Sequence, residues 1–157
     1  FYKEERTQFL YYSSEHQYNV VNVIVVSKES GIQVNTLDDL KGELIGIMDG
    51  YHYGSDFDNR QDLRKTRARD LSELIRILKK GRIKVAAVEE NGFRYMCRQL
   101  GIQNKFKVAY TISEKPFYTV FPKTMGQKGA LMAEKFGKTL IRMRKEGAIR
   151  QILDKYR

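Results

Sequence analysis

Residues 20–26 are the stretch that most constrains the fold, because six of these seven side chains are β-branched and aliphatic. A strand with one exposed face alternates apolar and polar residues, whereas this run is nearly continuous, which is typical of a strand covered on both faces. The run therefore predicts a buried strand from Tyr18 to Lys28. Asn22 interrupts it, and no stretch of the sequence approaches the roughly 20 apolar residues that span a bilayer.

Strand and helix patterns alternate along the remaining chain. Apolar residues recur at helical spacing from Leu71 to Leu78, and Gly81 predicts the end of this helix. Alternating elements of such lengths predict an α/β class with a largely parallel sheet. The other predicted elements are strands at 44–48, 65–69, 83–88, 106–110 and 117–121, and helices at 55–63, 89–100 and 129–146, with a last amphipathic helical segment that includes Tyr156.

The chain is basic, with 29 Lys and Arg against 19 Asp and Glu and a formal charge of +10. Such a charge favours anionic partners through its long-range field. The basic residues are scattered, however, and neither a glycine-aromatic RNA motif nor zinc-finger spacing accompanies them. We therefore expect a solvated surface for most of these charges and no nucleic-acid partner.

Residues with catalytic chemistry are few. The sequence has two histidines and one cysteine, Cys97, and contains no GxSxG, HExxH or phosphate-loop motif. Cys97 lies in a helical pattern with Met96 and Leu100, which predicts a core position. A single cysteine excludes an intrachain disulfide and a multi-cysteine zinc site. We predict that the chain is not an enzyme and holds neither a metal nor a cofactor.

Four segments resemble, in this order, one family of transport proteins. They are EERTQFLYYSSEHQY, NTLDDLKGELIGIMDGYHYG, LSELIRILKKGRIKVAAVEENGFRYM, and FYTVFPK followed by GKTLIRMRKEGAIRQILDKY. Together they resemble the type II periplasmic solute-binding proteins, that is, the polar amino acid binding proteins of ABC transporters (bacterial extracellular solute-binding protein family 3).

The resemblance implies the periplasmic-binding-protein type II fold, with two lobes of mixed, largely parallel sheets and a two-strand crossing. Residues 1–26 would form the end of lobe 1 and a crossing strand, residues 27–110 lobe 2, and residues 111–157 the return to lobe 1 with the C-terminal helices. Because such proteins begin with a β-α-β stretch of lobe 1, the resemblance also implies that the first part of lobe 1 is absent from this chain.

The function implied by the resemblance is extracytoplasmic binding of a small polar solute, an amino acid or related carboxylate, for delivery to an ABC importer. It implies importer membrane subunits as partners, a periplasmic location, a signal peptide upstream and no membrane insertion of this segment. The alternative is a ligand-sensing module of a membrane signalling receptor, in which closure on a ligand biases a helix. A transmembrane helix after Arg157 would favour the sensor.

Two charged residues match ligand contacts of the family. A buried zwitterionic ligand needs both of its charges paired. Arg6 corresponds to the arginine that grips the ligand carboxylate, for which its planar fork is suited, although it also fits an ordinary surface position. Glu89 stands where the family commonly has an aspartate and could hold an ammonium group, or it could favour the first turn of the following helix through its dipole.

The loop from Gly50 to Ser55 should face the ligand, since it joins a strand to a helix whose first N–H groups attract anions. Tyr51 and His52 occupy places where the family often has a small hydroxyl residue that contacts the ligand carboxylate. Their rings could stack on a ring or sugar, or could serve local packing. Lys84 also departs from the family, which usually has an aspartate there.

Overall fold

The computed structural model describes residues 2–155 and forms two compact units. Unit 1 contains the described residues up to Val20 and from Lys115 onward, and unit 2 is Val21–Glu114. The elements in chain order are β1 (Leu10–Tyr12), β2 (Tyr18–Ser27), β3 (Leu44–Met48), α1 (Ser55–Asp58), β4 (Arg64–Ala68), α2 (Leu71–Lys79), β5 (Val85–Glu89), α3 (Glu90–Gln99), β6 (Phe106–Phe117), β7 (Val120–Pro122), α4 (Gly126–Lys145) and α5 (Ala148–Asp154), with short 3₁₀ helices at Glu4–Gln8, Lys28–Ser30, Leu37–Leu40, Gln103–Lys105 and Lys123–Met125.

Unit 2 is built on a five-stranded sheet with the strand order β4-β3-β5-β2-β6. Strand β3 pairs in parallel with both β4 and β5. Strand β2 runs antiparallel to β5, with Val23 opposite Val88. The sheet is therefore mixed and carries helices between its parallel strands, which confirms the predicted α/β class.

The β-branched run in β2 enters a separate core on each face of the sheet. Val23 and Val25 pack in a cluster with side chains of α2 and α3. Ile24 and Val26, the alternate residues, pack in a second cluster that includes Tyr53. Because successive side chains of a strand point to opposite faces, only a run without polar alternation can fill both cores, and the predicted buried strand is confirmed.

Helix α2 follows its sequence signals closely. The Asp70 carboxylate accepts a hydrogen bond from the backbone N–H of Glu73 at 2.8 Å and caps the helix start. The apolar stripe of Leu74, Ile75 and Leu78 is buried against the sheet. Gly81 follows the helix with φ of 67°, a left-handed conformation that glycine adopts without strain.

Unit 1 contains a two-stranded antiparallel sheet, β1 with β7, and the long helix α4. The buried side of α4 is formed largely by small residues, Gly129, Ala133 and Gly137. A Cβ atom added to Gly137 would lie 3.0 Å from the backbone nitrogen of Ser14. The helix therefore packs at close range because these positions lack larger side chains.

Two predicted element ends lie furthest from the observed ones. Helix α1 was expected to reach Leu63 but ends at Asp58. The helix ends here because the Lys65 ammonium donates hydrogen bonds to the carbonyls of Phe57, Asp58 and Arg60, at 2.7, 3.1 and 2.9 Å. Strand β6 continues through the segment 113–116, where a break was predicted. It lies at the edge of the sheet, where a strand tolerates proline.

The predicted helical position of Tyr156 lies outside the described residues. Within residues 2–155, no helix is both long and apolar enough to cross a bilayer.

Candidate functional site

The carboxyl ends of β3 and β5 lead to three of the four predicted site residues. Strand β3 is followed by the loop that holds Tyr51 and His52, and Glu89 is the last residue of β5. These two strands are parallel neighbours, so their ends meet at one edge of the sheet, where ligands commonly bind in α/β proteins. We use the name carboxyl edge for Asn22, the loop Gly50–Gly54, Glu89 and Ser113.

Glu89 is half-buried and caps α3. Its two carboxylate oxygens accept hydrogen bonds from the backbone N–H groups of Asn91 at 3.1 Å and Gly92 at 2.7 Å. The interpretation of Glu89 as a residue that stabilises the first turn of the following helix is therefore confirmed. A carboxylate offers about four acceptor positions, so the cap leaves capacity for a further donor, and the role of Glu89 in ligand binding stays a prediction.

The side chains of Tyr51 and His52 are both exposed. The Tyr51 ring lies 5.3 Å from the ring of Tyr53, centroid to centroid. The His52 side chain is 91% exposed, and its Nδ1 atom lies 3.8 Å from Asp58 Oδ2, which makes an ion pair only when His52 is protonated. Both rings are accessible to a solute, and their contact with a ligand stays a prediction.

Asp58 and Tyr53 hold the loop in place. The Asp58 carboxylate accepts from the backbone N–H of Tyr53 at 3.2 Å and of Gly54 at 3.0 Å. These N–H groups, expected to attract a bound anion, are therefore already paired with a carboxylate of the chain. The buried Tyr53 hydroxyl accepts from the backbone N–H of Met48 at 2.9 Å, and burial raises the pKa of Tyr53 to about 12.

Asn22 and Ser113 belong to the carboxyl edge and were not predicted as site residues. Asn22 is 3% exposed, and its Nδ2 atom donates to the Tyr53 carbonyl at 3.0 Å and to Ser113 Oγ at 3.2 Å. The Ser113 hydroxyl donates to the same carbonyl. The only sequence signal was a lone asparagine in an otherwise β-branched run, which we used solely to exclude a membrane span.

The carbonyl oxygen of Asn22 is buried and has no hydrogen-bond partner among the described residues. Folded proteins pair nearly all such atoms, so an unpaired one indicates a missing partner. Asn22 lies directly opposite Glu89 in the pairing of β2 with β5, and residues opposite each other in a sheet share a face. The carboxyl edge therefore contains a buried amide acceptor without a partner among the described residues, at the strand position opposite Glu89.

Arg6, the fourth predicted site residue, lies in unit 1 within the 3₁₀ helix Glu4–Gln8 and is exposed. Its backbone N–H donates to the Lys3 carbonyl at 3.0 Å, and its carbonyl accepts from the Phe9 N–H at 3.2 Å. Within the described chain, no ion pair or side-chain hydrogen bond is found for its guanidinium group. Its proposed contact with a ligand carboxylate stays a prediction.

Cys97 is 2% exposed and lies in the core between the sheet and α3, as its helical pattern predicted. Burial raises the pKa of its thiol to about 11, so the group is a neutral thiol at physiological pH and a poor nucleophile. The described residues contain no group of three or more His, Cys, Asp or Glu side chains placed to hold a metal ion.

No protein-family model matches the chain, and no curated protein matches it by sequence. Solved structures do. The probable amino-acid ABC transporter extracellular-binding protein ytmK from Bacillus subtilis superposes with a TM-score of 0.75 at 17% identity, over 99% of this chain and 67% of that one. The substrate-binding protein AbpA from Streptococcus pneumoniae, bound to L-arginine, gives 0.74 at 16% identity, over 99% and 64%.

A mutant of ArgBP from T. maritima gives a TM-score of 0.73 at 18% identity, over 99% of this chain and 65% of that chain. The chain therefore has the fold of these substrate-binding proteins and spans about two thirds of their length. The resemblance predicted from the sequence is confirmed at the level of the fold. Identities this low carry no information about the ligand.

Proposed function

We propose that the chain binds a small polar solute, an amino acid or a related carboxylate, outside the cytoplasm and delivers it to an ABC importer. The observation that carries this proposal is the unpaired carbonyl oxygen of Asn22 at the carboxyl edge. It occurs on a fold whose similar structures are substrate-binding proteins of amino acid transporters. A fold alone does not specify a function, so the argument depends on the chemistry of this edge.

The acceptors of the carboxyl edge are the Glu89 carboxylate and the buried Asn22 carbonyl, and a ligand that reaches both would need a donor such as an ammonium group. Leaving a buried acceptor unpaired costs about 1–3 kcal/mol, and a ligand N–H group at the Asn22 carbonyl would recover this free energy. The Glu89 carboxylate supplies the negative charge that an ammonium requires when it leaves water. We further propose that Arg6 pairs with the ligand carboxylate, as the family resemblance implies.

Delivery to an importer, the periplasmic location and the importer membrane subunits as partners follow from the same resemblance. Structures similar to the chain are described as ABC transporter binding proteins, and one of them holds L-arginine. A test of this part is uptake of the identified ligand by cells that lack the protein. We expect uptake to fall and to return when the protein is restored.

Binding itself is tested by thermal unfolding of the protein with amino acids, dicarboxylates and sugars as separate probes. A ligand that binds only the folded state, at 100 times its dissociation constant, stabilises by about 2.7 kcal/mol. We expect an amino acid or carboxylate to produce such a shift and sugars to produce none. The proposal fails if no polar solute raises the unfolding temperature.

The Asn22→Leu variant tests the role of the carboxyl edge. The Tyr53 carbonyl keeps its hydrogen bond from Ser113 in this variant, so we expect a folded protein with at least about tenfold weaker ligand binding. Asn104→Leu, at an exposed asparagine, is the matched control and should bind normally. Equal affinity of both variants for the ligand would remove Asn22 from the site.

A further inference from the structure

A basic cavity lies at the end of the unit 2 sheet where β5 and β6 begin and β2 ends. Its volume is about 280 Å³. Its charged lining consists of Lys79, Lys84, Lys105 and Glu29, and the hydroxyl residues Ser27 and Ser30 complete its polar wall. Glu89 lies at the opposite end of β5, four residues beyond Val85, which is about 13 Å along the strand. The basic cavity is therefore separate from the carboxyl edge.

Within the described part of the chain, the cations of the basic cavity lack acidic partners, unlike several other cations of unit 2 that form ion pairs. Elsewhere in this unit, Lys41 pairs with Asp38 at 3.0 Å, Arg67 with Asp49 at 2.6 Å, and Arg94 with Glu90 at 2.6 Å. Among the described residues, none of the three cavity lysines has a carboxylate within ion-pair distance, and Glu29 has no cation within that distance. Further exposed basic residues adjoin the cavity in sequence, namely Lys28, Lys80 and Arg82.

Helix stabilisation explains only part of this arrangement. Lys79 lies in the last turn of α2, where a cation offsets the negative end of the helix dipole. Lys84 lies in the connection before β5, and Lys105 ends the 3₁₀ helix Gln103–Lys105, so neither is in the last turn of an α-helix. Three separate chain segments thus bring three positive charges to one concavity whose lining includes a single carboxylate, that of Glu29, which a merely soluble surface does not require.

We propose that the basic cavity binds a phosphate group. The lysine ammonium is a compact point charge with three donors and a recurrent phosphate ligand in proteins. A doubly charged tetrahedral phosphate can accept from several such donors at once, whereas a single carboxylate carries less charge. The Ser30 hydroxyl already donates to the Ser27 carbonyl at 2.6 Å, which leaves the Ser27 hydroxyl as the neutral donor of the wall. The volume is just below the usual range of small-molecule pockets, about 300–1,000 Å³, and accommodates a phosphate with a small substituent or a lipid headgroup.

The test measures phosphate binding to the protein and to two charge-matched variants. Inorganic phosphate is titrated by calorimetry or NMR against sodium chloride of equal ionic strength, because a chain of charge +10 responds to any anion. The cavity variant is Lys84→Gln with Lys105→Gln. The control is Lys115→Gln with Lys128→Gln, which removes two exposed lysines of unit 1. We expect at least about tenfold weaker phosphate binding in the cavity variant and unchanged binding in the control.

A second probe identifies the source of the phosphate. Vesicles of phosphatidylglycerol are compared with vesicles of phosphatidylcholine in a sedimentation assay with the same proteins. Weaker binding of either probe by the cavity variant, with unchanged binding by the control, supports the site. The probe that binds more tightly shows whether the phosphate is free or carried by a lipid. The proposal is overturned if neither probe binds, if chloride acts as strongly as phosphate, or if both variants weaken binding equally.

Discussion

Units 1 and 2 differ in how much apolar surface they bury. Among the described residues, nearly all buried hydrophobic side chains lie in unit 2, whereas unit 1 contributes Val20, Ala133 and Leu140. Unit 1 instead exposes large apolar side chains, such as Phe9 at 57% and Leu131 at 48%. A two-stranded sheet is marginally stable, whereas a larger sheet covered on both faces is stable by itself. The comparison indicates that unit 2 supplies most of the folding free energy.

The largest expected effect is on stability, from Phe57→Ala in unit 2. Phe57 is 1% exposed, stacks edge-on with Tyr53 at 5.8 Å and lies 4.6 Å below the Lys65 ammonium. Because the substitution leaves a cavity in a packed core, we expect the free energy of unfolding to fall by about 3–5 kcal/mol. Denaturant unfolding, monitored by circular dichroism, measures this change.

Phe136→Ala is the matched substitution in unit 1. The Phe136 ring is half-buried and lies 6.3 Å from the ring of Phe121. Since part of the ring is already in water, we expect less than half the cost of Phe57→Ala. Equal costs at the two positions would break the comparison between the units.

A second prediction concerns high pH and the loop of the carboxyl edge. Burial raises the pKa of Tyr53 from 10.0 to about 12, so between these values the folded state binds a proton that the unfolded state has lost. The contribution of Tyr53 to the free energy of unfolding is fully present below pH 10. It is lost as the pH rises toward 12, which lowers the free energy of unfolding by about 2–3 kcal/mol. We expect the unfolding midpoint to decrease over this range.

Tyr53→Phe isolates the contribution of this hydroxyl. The variant loses the acceptor for the Met48 N–H and should be about 1 kcal/mol less stable at neutral pH, but it should lose less stability between pH 10 and 12. Burial also raises the pKa of Cys97, from 9.0 to about 11, which overlaps this range, but the effect is the same in both proteins and cancels. An unchanged high-pH slope in Tyr53→Phe would show that the loop is not anchored by a buried neutral tyrosine.

The elements that sequence reasoning predicted well depend on local patterns. The β-branched run predicted β2, and the leucine-isoleucine spacing with the terminating Gly81 predicted α2. The end of α1 could not be predicted, because it depends on the Lys65 ammonium reaching carbonyls five to eight residues away. The continuity of β6 depends on its edge position in the sheet, which is a property of the strand order rather than of the segment.

The site residues likewise fall into those that local sequence patterns indicated and one that depends on distant contacts. Glu89, Tyr51 and His52 were named because strand ends and glycine-bounded loops are visible in the sequence, together with a family resemblance. Asn22 was missed because its partners, Tyr53 and Ser113, lie 31 and 91 residues away. An unpaired buried atom becomes visible only when every contact around it is known.

A third prediction, Gly137→Ala, tests the packing of unit 1. Alanine favours a helix over glycine by about 1 kcal/mol, but its Cβ atom would lie 3.2 Å from the Ser14 Cβ and 3.0 Å from its backbone nitrogen, with Ser14 Oγ closer still. Overpacking of this kind costs about 1–3 kcal/mol. We expect net destabilisation of about 1–2 kcal/mol, measured by thermal unfolding.

Ser14→Gly provides the control for this substitution. It removes the side-chain atoms that the new methyl group would meet, so Gly137→Ala should cost less in the Ser14→Gly background. A double-mutant cycle isolates this coupling. Additive effects would mean that the Ser14 side chain does not limit the residue at position 137, and this part of the account of unit 1 would need revision.

The smallest expected effect on stability is that of Arg6→Ala. This variant tests whether unit 1 contributes a ligand contact at all. Arg6 is exposed, and removal of an exposed side chain typically changes stability by less than about 0.5 kcal/mol. If its guanidinium pairs with a ligand carboxylate, loss of a charge partner should weaken binding by about 30-fold or more. Arg64→Ala, at another exposed arginine, should leave affinity unchanged. Normal binding by Arg6→Ala would reject the role of Arg6 and leave the carboxyl edge of unit 2 as the source of recognition, because the thermal-shift and Asn22→Leu tests do not involve Arg6.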